Sequence, residues 1–427
     1  MTDTIFALSS GAPPAAIGIV RISGPSAGAA LDALAGSRPF QPRRAQLALL
    51  RDPADGSPLD RSLILWMPGP NTATGEDLAE LHCHGGRAVI AAVERALADI
   101  PGLRRAEAGE FTRRAFVNGR LDLNAVEGLS DLLAAETEGQ RRAALAMADG
   151  HFSRRIDAWR KRLLDLSAMV EAALDFSDED DVPAAGIELR MAADLALLAT
   201  DIGAALDTPC AERLRDGIRV VIAGPPNAGK STLFNALVGR DAAIVSAIAG
   251  TTRDRVEAPA AIAGIAYLFT DTAGLRADSD DAIEVIGIDR ARAAMAGADI
   301  LLWLGDAADA PIGALLVAAQ CDRTDRHDRP GLRLSAITGE GMGDLRAELA
   351  ARAGELMPGE GDYALHQRQR DAVAMLHRHT LQAGLSDDLL IRAEELRAAR
   401  GAIDALTGRA GTEDMLDRLF AGFCIGK

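Results

Sequence analysis

The stretch Gly224-Pro-Pro-Asn-Ala-Gly-Lys-Ser-Thr232 has the spacing GxxxxGK[ST] and directly follows the apolar run Arg219 to Ala223. Its glycines let the backbone bend so that successive amides face a polyphosphate, Lys230 reaches the outer oxygens, and the Ser231 hydroxyl can bind Mg2+. Residues 233–239 then have the pattern of a helix, whose N-terminus adds positive charge. Glycines at an ordinary strand, turn and helix are the alternative, but the order of these elements favours nucleotide binding.

Five short apolar runs alternate with helical stretches between about Asp216 and Ala351. They are Arg219 to Ala223, Ala266 to Thr270, Ile300 to Leu304, Leu315 to Ala319 and Leu332 to Leu334. This alternation is typical of a doubly wound, mostly parallel sheet. The sequence therefore predicts a Ras-like α/β domain around the phosphate loop, inserted into a longer chain.

Two polar segments after the phosphate loop match other elements that a GTPase needs around Mg2+ and the γ-phosphate. In Thr251-Thr252, the second hydroxyl can bind Mg2+ while its backbone contacts the γ-phosphate. The segment Asp271-Thr-Ala-Gly274 ends an apolar strand, where Asp271 would hold a metal-bound water and the Gly274 amide would sense the γ-phosphate.

The element that selects the base departs from the usual Asn-Lys-x-Asp. It reads Ala319-Gln-Cys-Asp322 and retains only the carboxylate that would accept the N1 and N2 hydrogens of guanine. Asp322 is the predicted guanine ligand, with Asp325 as a second candidate. Ser335-Ala-Ile337 resembles the final guanine loop, with Ile where Lys is common. The element predicts a preference for guanine and leaves the tightness of binding open.

The transition state of GTP hydrolysis needs added positive charge, because GTPases without a supplied cation are slow. Asn227, together with oxygens of Ser246, Ile248 and Thr251, could hold a monovalent cation beside the phosphates. No Gln stands at the usual water-orienting position after Gly274. Glu284 is the nearest acidic candidate on the following helix, and it could position the attacking water by way of a second water. A solvated acid near a helix N-terminus is the other interpretation of Glu284.

Composition bounds the remaining possibilities. The chain has 427 residues and a formal net charge of -16, which argues against nonspecific wrapping of nucleic acid. Its four cysteines are far apart without a CxxC pair, so neither a disulfide framework nor a zinc site is indicated. His82 and His84 flank Cys83, but a lone HxH lacks further ligands. No apolar run is long enough for a membrane span and no signal pattern opens the chain, so we expect a cytoplasmic protein.

Short motifs from end to end resemble the MnmE (TrmE) family of tRNA uridine modification GTPases. Besides the phosphate loop, the marks are Val20-Arg-Ile-Ser-Gly24, Thr74-Gly-Glu-Asp77, Glu80-Leu-His-Cys-His-Gly-Gly86, Gly109-Glu-Phe-Thr112, Arg114-Ala-Phe116, Asn118-Gly-Arg-Leu-Asp-Leu123, Asp271-Thr-Ala-Gly-Leu-Arg276 and the terminal Phe423-Cys-Ile-Gly-Lys427. So many motifs in one order are not expected by chance.

The resemblance implies a multidomain α/β and α architecture in three parts. Residues 1–118 would form an N-terminal α+β domain that binds tetrahydrofolate and dimerises. Residues 119–215 and 356–427 would form a helical domain around an inserted GTPase domain of residues 216–355. The residues themselves agree with a helix near the end of the chain, because an apolar face repeats at helical spacing, although any helical bundle would show the same. That face comprises Leu389, Ala393, Leu396, Ile403 and Leu406.

The resemblance also assigns the sites. Potassium would bind Asn227, Ser246, Ile248 and Thr251, and magnesium would bind Ser231 and Thr252. The catalytic residues would be Glu284 and Cys424, for which a buried or merely helix-terminal Cys is the alternative. Folate would contact Arg21, Glu80, Lys427 and Arg120, the last of which stands where Lys is often found. The implied GTP contacts are Asn227, Ala228, Gly229, Lys230, Ser231, Thr232, Ser246, Ala247, Ile248, Ala249, Gly250, Thr251, Thr252, Asp271, Thr272, Ala273, Gly274, Asp322, Ser335, Ala336 and Ile337.

The implied function is the first step of wobble uridine modification. A potassium-activated, magnesium-dependent GTPase would act with a flavin-dependent partner and place an aminomethyl or carboxymethylaminomethyl group at C5 of uridine 34. The carbon would come from 5,10-methylenetetrahydrofolate, with 5-formyltetrahydrofolate as an analogue. The implied partners are a second copy in a homodimer, the flavin protein in a heterotetramer or larger complex, and tRNA.

Two other interpretations remain open at this point. An RNA-binding assembly GTPase would time a ribosomal step without modifying anything, but such proteins usually carry a basic RNA-binding domain, and no such segment is present in this sequence. A regulatory GTPase could instead use dimerisation of its G domains to control the helical body. The regulatory interpretation is partly compatible with tRNA modification, since dimerisation could gate chemistry performed elsewhere in the protein.

Overall fold

The computed structural model of the protein describes residues 3–37, 39–175, 184–208, 210–241, 257–272, 291–323, 330–357, 359, 363–408 and 413–426. The chain divides into two units. The first comprises Met1–Ser130 and Asp404–Lys427, and the second comprises Asp131–Ile403.

The first unit contains a six-stranded sheet with the order β3-β4-β5-β2-β1-β6. Its strands are β1 Thr4–Leu8, β2 Ile17–Ser23, β3 Ala45–Arg51, β4 Pro58–Met67, β5 Leu78–His84 and β6 Leu103–Arg105. Neighbouring strands are antiparallel except β1 and β6, which are parallel. Along β2, Val20 and Ile22 are buried while Arg21 between them is partly exposed. Successive side chains alternate between the faces of a strand, so Arg21 lies on the face opposite this core.

Helices pack against both faces of this sheet. Helices α1 Ala27–Ala35 and α2 Arg87–Ala98 pack on the face of Val20 and Ile22, whereas α3 Glu110–Val117 packs on the opposite face, where Phe111 clusters with Ile5 and Ala7. Helix α4 Leu123–Ala134 follows and continues into the second unit. In α1 the buried residues Ala27, Ala30, Leu31 and Leu34 recur at helical spacing and pack with the strands. Each buried leucine stabilises the unit by about 1.5–3 kcal/mol relative to an exposed one.

The second unit is rich in helices. They are α5 Glu138–Ala148, α6 His151–Asp175, α7 Ala184–Leu206, α8 Ala211–Asp216, α9 Lys230–Asp241, α10 Met342–Leu356, α11 Gln367–Leu385 and α12 Leu389–Thr407. Trp159 of α6 is fully buried and donates a 2.8 Å hydrogen bond from Nε1 to Oδ2 of Asp201 on α7. A buried indole N–H needs such an acceptor, so this pair fixes α6 against α7.

The apolar face predicted near the end of the chain lies on α12. Leu396, Ile403 and Leu406 are buried, whereas Leu389 and Ala393 are only partly buried. The helix prediction is therefore confirmed. No helix within the described ranges is both long and apolar enough to cross a bilayer.

The phosphate loop belongs to a second six-stranded sheet, whose order is β12-β11-β10-β7-β9-β8. Its strands are β7 Ile218–Ala223, β8 Glu257–Ile262, β9 Ile265–Asp271, β10 Ile300–Trp303, β11 Leu315–Ala319 and β12 Leu332–Leu334. All pairs are parallel except β8 with β9. All five predicted apolar runs are strands of this doubly wound sheet. The carboxyl ends of its parallel strands meet at one edge, where such sheets bind ligands.

The C-terminal segment completes the first unit. Helix α13 (Glu413–Ala421) packs against α3, and Phe420 lies 6.2 Å from Phe116 between ring centroids. Beyond this helix, Ile425 forms an isolated β-bridge with Ala108. Residues from both ends of the sequence therefore form one core.

Candidate functional site

The phosphate loop follows β7 and has three residues in the left-handed region. The backbone φ is +148° at Gly224, +60° at Asn227 and +100° at Gly229. A Cβ atom at Gly224 would lie 3.2 Å from the carbonyl carbon of Leu304, which is a tight contact, and the positive φ would strain any residue with a side chain there. The bend predicted from the glycines is present. Asn227 is exposed on this loop.

Lys230 is the first residue of α9 and is only 8% exposed. Its Nζ donates hydrogen bonds to the carbonyl oxygens of Gly224 at 3.0 Å and Pro225 at 2.8 Å. The next two residues, Ser231 and Thr232, are exposed at the start of the helix. The ammonium, both hydroxyls and the helix N-terminus therefore lie together at the ligand edge of the sheet.

Asp271 ends β9, next to the strand that leads into the phosphate loop. It pairs with Ile222 of β7 and is buried. Thr272 continues this contact, because its N and its Oγ1 both donate to the carbonyl oxygen of Ile222, at 3.3 and 2.9 Å. The carboxylate predicted to act through a metal-bound water is therefore held at the end of the strand beside the phosphate loop.

The atypical base element follows β11. Cys321 is buried and its N donates to the carbonyl oxygen of Leu334 at 3.1 Å, whereas Asp322 is exposed. Burial and the neighbouring carboxylate of Glu340 raise the pKa of the Cys321 thiol. On the adjoining loop after β12, Ser335 is buried and Ile337 is 78% exposed. The predicted guanine ligands thus lie on neighbouring loops at the same edge of the sheet.

Several predicted site residues fall outside the described residues. They are Ser246, Ala247, Ile248, Ala249, Gly250, Thr251, Thr252, Ala273, Gly274, Glu284, Asp325 and Lys427. Asn227 is the predicted potassium ligand that lies within the described residues, and Ser231 is the predicted magnesium ligand that does so.

A second polar cluster lies on the first unit. Arg21 of β2 donates from Nε and Nη2 to Oε1 of Glu80 on β5, at 3.1 and 2.9 Å. The other carboxylate oxygen, Oε2, lies 3.2 Å from Nε2 of His82. The guanidinium of Arg21 is 5.8 Å from the ring centroid of Phe111, which is a cation–π distance. Glu80 and Phe111 therefore hold Arg21 in one orientation.

Arg114 forms a second, buried ion network in the same unit as the Arg21 cluster. Its side chain is fully buried, and its Nη1 donates to Oε2 of Glu76 at 3.0 Å. Its Nη2 donates to Oδ1 of Asp3 at 3.0 Å and to Oε1 of Glu110 at 3.1 Å. Burial alone would raise the pKa of Glu110, but hydrogen bonds from Arg104, from the N–H of Glu107 and from Arg114 outweigh it and lower this pKa.

This network fixes the loop before β5. Glu76 also accepts a 2.9 Å hydrogen bond from Ser23, and the hydroxyls of Ser23 and Thr74 are 2.7 Å apart. Asn118 donates from Nδ2 to the carbonyl oxygen of Thr74 at 2.7 Å. Arg120, predicted to bind folate, follows at the exposed end of this segment.

The C-terminal residues lie on the same unit. The N–H of Gly109 donates to the carbonyl oxygen of Cys424 at 3.5 Å, and a Cβ at Gly426 would lie 2.1 Å from the carbonyl oxygen of Leu8. Leu8 is next to Ala7, which pairs with Arg21. The residue before Lys427 is therefore placed beside the strand pair that carries Arg21. Cys424 is exposed, so the buried alternative for this thiol is wrong.

The two histidines around Cys83 have separate carboxylate partners. His82 contacts Glu80, whereas Nδ1 of His84 lies 2.7 Å from Oδ1 of Asp60. Burial raises the pKa of the Cys83 thiol to about 11. Among the described residues, no group of three or more His, Cys, Asp or Glu side chains is arranged to hold a metal.

Sequence reasoning did not assign Phe111, His82, Glu76 or Arg114 to a site. Each lies inside one of the motifs quoted above, so the motifs were the available signal. The strand alternation that places His82 beside Glu80 could also have been used. The contact between Arg114 and Asp3 had no signal, because the residues are far apart in the sequence.

Two family models match the chain: the GTP-binding protein TrmE N-terminus over residues 4–120 and the MnmE helical domain over residues 123–424. The tRNA modification GTPase MnmE of Novosphingobium aromaticivorans is 58% identical over 438 residues, covering 100% of both chains. The chain belongs to the MnmE family of tRNA modification GTPases. It is accordingly a GTP hydrolase that acts in tRNA modification.

Other members of the MnmE family are similarly related. The tRNA modification GTPase MnmE of Rhizorhabdus wittichii is 59% identical and covers 100% of this chain and 97% of its own. That of Zymomonas mobilis is 51% identical and covers 99% and 100%. Among solved structures, the G domain of the T. maritima FeoB iron transporter is 25% identical, covers 32% of this chain and 98% of its own, and has a TM-score of 0.24. That score is too low to establish a shared fold.

Proposed function

We propose that this MnmE family member is a potassium-activated GTPase that works with a flavin-dependent partner protein. Together they install an aminomethyl or carboxymethylaminomethyl group at C5 of wobble uridine 34 of certain tRNAs, using a one-carbon unit from 5,10-methylenetetrahydrofolate. The observation that carries the proposal is the presence of two built polar sites in one chain. One is the phosphate loop with Lys230, and the other is the Arg21–Glu80 pair.

The proposed role of the sheet edge is to bind GTP and hydrolyse it. The loop amides and Lys230 would hold the phosphates, and Asp322 would accept from guanine. Ser231 and Asp271 supply the hydroxyl and carboxylate oxygens that a hard cation such as Mg2+ prefers, so the described residues fit magnesium, with Thr252 as a further proposed ligand. Bound Mg2+ would neutralise charge on the phosphate oxygens.

Potassium activation is proposed on the chemistry of Asn227. Its left-handed backbone and exposed side chain present an amide oxygen beside the phosphate loop, which fits a monovalent cation. Ser246, Ile248 and Thr251 are the other proposed oxygen ligands. Glu284 is proposed to orient the attacking water.

Folate binding is proposed for the cluster around Arg21. The described side chains fit an anionic pterin derivative: the guanidinium can pair a carboxylate or pterin oxygen, and Phe111 supplies an aromatic neighbour. Glu80 holds Arg21 in place and offers acceptor capacity for ring N–H groups. Arg120 and Lys427 are the other proposed contacts. Bound methylenetetrahydrofolate would supply the carbon, and the exposed thiol of Cys424 is a proposed catalytic group.

We propose that this protein and its flavin-dependent partner make different contacts in the assembly. A formal net charge of -16 suits a protein whose flavin partner makes most of the contacts with the phosphates of tRNA. We propose a homodimer through an N-terminal domain of residues 1–118, a helical domain of residues 119–215 and 356–427, and a GTPase domain of residues 216–355. The proposed location is the cytoplasm.

The deciding experiment is mass spectrometry of digested tRNA from a strain that lacks this gene and from the complemented strain. We expect C5-aminomethyl-type wobble uridines to vanish in the first and return in the second. A complementing Lys230→Ala variant should not restore them. Unchanged wobble uridines in the deletion strain would refute the modification proposal and favour an assembly GTPase.

A further inference from the structure

The turn between β8 and β9 lies against the first turn of α5. It consists of Ala263 and Gly264, which both have left-handed backbone, with φ of +52° and +78°. The carbonyl oxygen of Gly264 is 3.8 Å from the position of a Cβ atom on Gly139. A Cβ atom on Gly264 would in turn lie 4.0 Å from Cβ of Glu138. The nucleotide-binding sheet therefore contacts α5 at the end of β9 that is opposite to Asp271.

Glycine stands on both sides of this contact. Gly139 is the second residue of α5, where glycine weakens a helix relative to alanine. A Cβ atom there would lie 3.2 Å from Cε of Met357, which is a tight contact. The missing side chain therefore lets both Met357 and the turn of Gly264 approach the helix backbone closely.

Strand β9 connects this contact to the ligand edge of the sheet. It begins at Ile265, directly after the turn, and ends at Asp271 beside the phosphate loop. Its seven residues span about 20 Å. Because β9 is paired with both β7 and β8, a displacement at Asp271 moves the strand as a rigid element and reaches the turn.

Helix α5 is also bonded to the element that leads into the phosphate loop. Gln140 donates from Nε2 to the carbonyl oxygen of Leu214 on α8 at 2.7 Å. The same side chain completes the N-terminal cap of α5, since its Oε1 accepts from the N–H of Thr137 at 2.8 Å. Helix α8 leads directly into β7, which ends at the phosphate loop. The first turn of α5 thus contacts β7 through α8, and β9 through the turn of Gly264.

The two contacts of α5 are held differently. Helix α8 is fixed to the segment by which the chain leaves the sheet, because Cys210 and Leu365 form a β-bridge and the N–H of Ala211 donates to the carbonyl oxygen of Leu365 at 3.0 Å. Within the described ranges, no backbone hydrogen bond joins the β8–β9 turn to α5. A cavity of about 30 Å³ between α5 and α8, lined in part by Ala143 and Ala144, leaves α5 room to shift. The contact of the turn can therefore open and close without breaking the others.

We propose that the contact between Gly264 and Gly139 couples the state of the bound nucleotide to the helices of the second unit. When the end of β9 at Asp271 shifts with the nucleotide, the turn presses on the first turn of α5 or withdraws from it. A ligand shifts such an equilibrium only through contacts that differ between the two states, and this unbonded contact is one that can differ. The inference rests on nucleotide binding at the sheet edge.

The test places a side chain in the contact. Gly139→Leu fills the space against the turn with a residue that favours a helix. Hydrogen exchange of peptides from α5 is measured without nucleotide, with GDP, and with the non-hydrolysable analogue guanosine 5′-(β,γ-imido)triphosphate. In the wild type we expect exchange rates in α5 to differ by at least about fivefold between these states, the lower end of typical coupling between sites. Gly139→Leu should remove most of this difference and leave GDP affinity unchanged.

Two variants separate the contact from general effects of substitution. Gly343 is likewise the second residue of a helix, α10, and no atom lies within 4 Å of its Cβ position, so Gly343→Leu should keep the difference. Ala263→Asn relieves the left-handed turn without adding bulk towards α5 and should also keep it. If Gly139→Leu does not fold, as its unfolding temperature will show, Gly139→Ala takes its place and should reduce the difference.

The outcomes distinguish this proposal from the function on which it rests. Equal exchange of α5 in all nucleotide states of the wild type would overturn the coupling, as would an undiminished difference in the folded Gly139 variant. A wild-type protein that binds no GDP in the same buffer would instead refute nucleotide binding at this edge.

Discussion

Nζ of Lys230 lies 2.8 Å from the carbonyl oxygen of Pro225 and donates a hydrogen bond to it. A second bond goes to Gly224, so the ammonium is held by the loop that it helps to form. A polyphosphate would exchange these carbonyl partners for its own anionic oxygens, which bond an ammonium more strongly.

We expect Lys230→Arg to impair GTP binding almost as much as Lys230→Ala, by at least about tenfold. A planar guanidinium is larger than an ammonium and cannot place its donors between two carbonyl groups in the same way. Fluorescent GDP titration measures the effect. Lys161→Arg, on the exposed surface of α6, is the matched control and should bind normally. Normal binding by Lys230→Arg would contradict a spatial requirement for lysine.

Arg21→Ala should weaken binding of 5-formyltetrahydrofolate by roughly 10- to 100-fold, the range for loss of a charge-assisted hydrogen bond. Glu80 would remain beside His82, so the variant keeps one of the two contacts of that carboxylate. Calorimetry gives the affinity. Arg61→Ala removes an exposed arginine from β4 of the same sheet and should have no effect. Equal affinities of the two variants would remove Arg21 from the folate site.

Arg114→Met should destabilise the first unit by about 3–5 kcal/mol, because it removes the cation that pairs with the largely buried Glu76 and one of the two that pair with Glu110. Hydrogen exchange of peptides from β1 and α3 in increasing urea reports the stability of this unit. The neighbouring Arg113 pairs with the exposed Asp417, and Arg113→Met should cost at most about 1 kcal/mol. Similar losses of stability in both variants would show that the buried ion network of Arg114 is not the cause of the destabilisation.

Acid should weaken the same unit through Glu110. Its folded pKa lies below the ordinary value of 4.5, so its ionised form contributes stability above that value and loses it as pH falls through the folded pKa. We expect the free energy of unfolding to fall between about pH 5 and pH 3, and to fall less in Glu110→Gln. The same exchange measurement at several pH values tests this. An identical pH dependence in the variant would exclude Glu110 as a cause.

Replacing potassium by sodium should slow GTP hydrolysis by at least about tenfold, since the proposed cation beside Asn227 would take the role of an arginine finger. Asn227→Ala should make the rates in the two salts equal. Glu284→Ala should slow hydrolysis in both salts while GTP affinity stays near that of the wild type. Phosphate release measures each rate, and equal wild-type rates in both salts would refute the cation site.

Local pattern was sufficient to predict the strands of the nucleotide-binding sheet that are continuous apolar runs, but not β8. Residues Glu257 to Ile262 are rich in alanine and contain Pro259, which weakens any strand pattern. β8 is an edge strand paired only with β9 among the described strands, and proline is tolerated at such an edge. Its presence depends on a neighbour rather than on its own residues.

The sites were predictable where one motif carries the chemistry and not where distant segments meet. The bend of the phosphate loop was predicted from its own motif, whereas the assignment of Arg21 to a folate site came from the family resemblance and stays a prediction. The packing of Gln320 on Gly229 depends on two strand ends that are far apart in the sequence. The exposure of Cys424 likewise depends on how the C-terminal segment lies against Gly109.

The contact of Phe420 and Phe423 with Val126 also bears on the order of folding. The ribosome releases a chain from its N-terminus, and domains usually fold as they emerge. The first unit cannot close this apolar surface until the residues near position 420 have been made. We therefore expect the apolar side chains of α3 and α4 that meet this segment, such as Phe116 and Val126, to stay incompletely covered while the nucleotide-binding sheet is synthesised and folds. The unit that emerges first is the last to be completed.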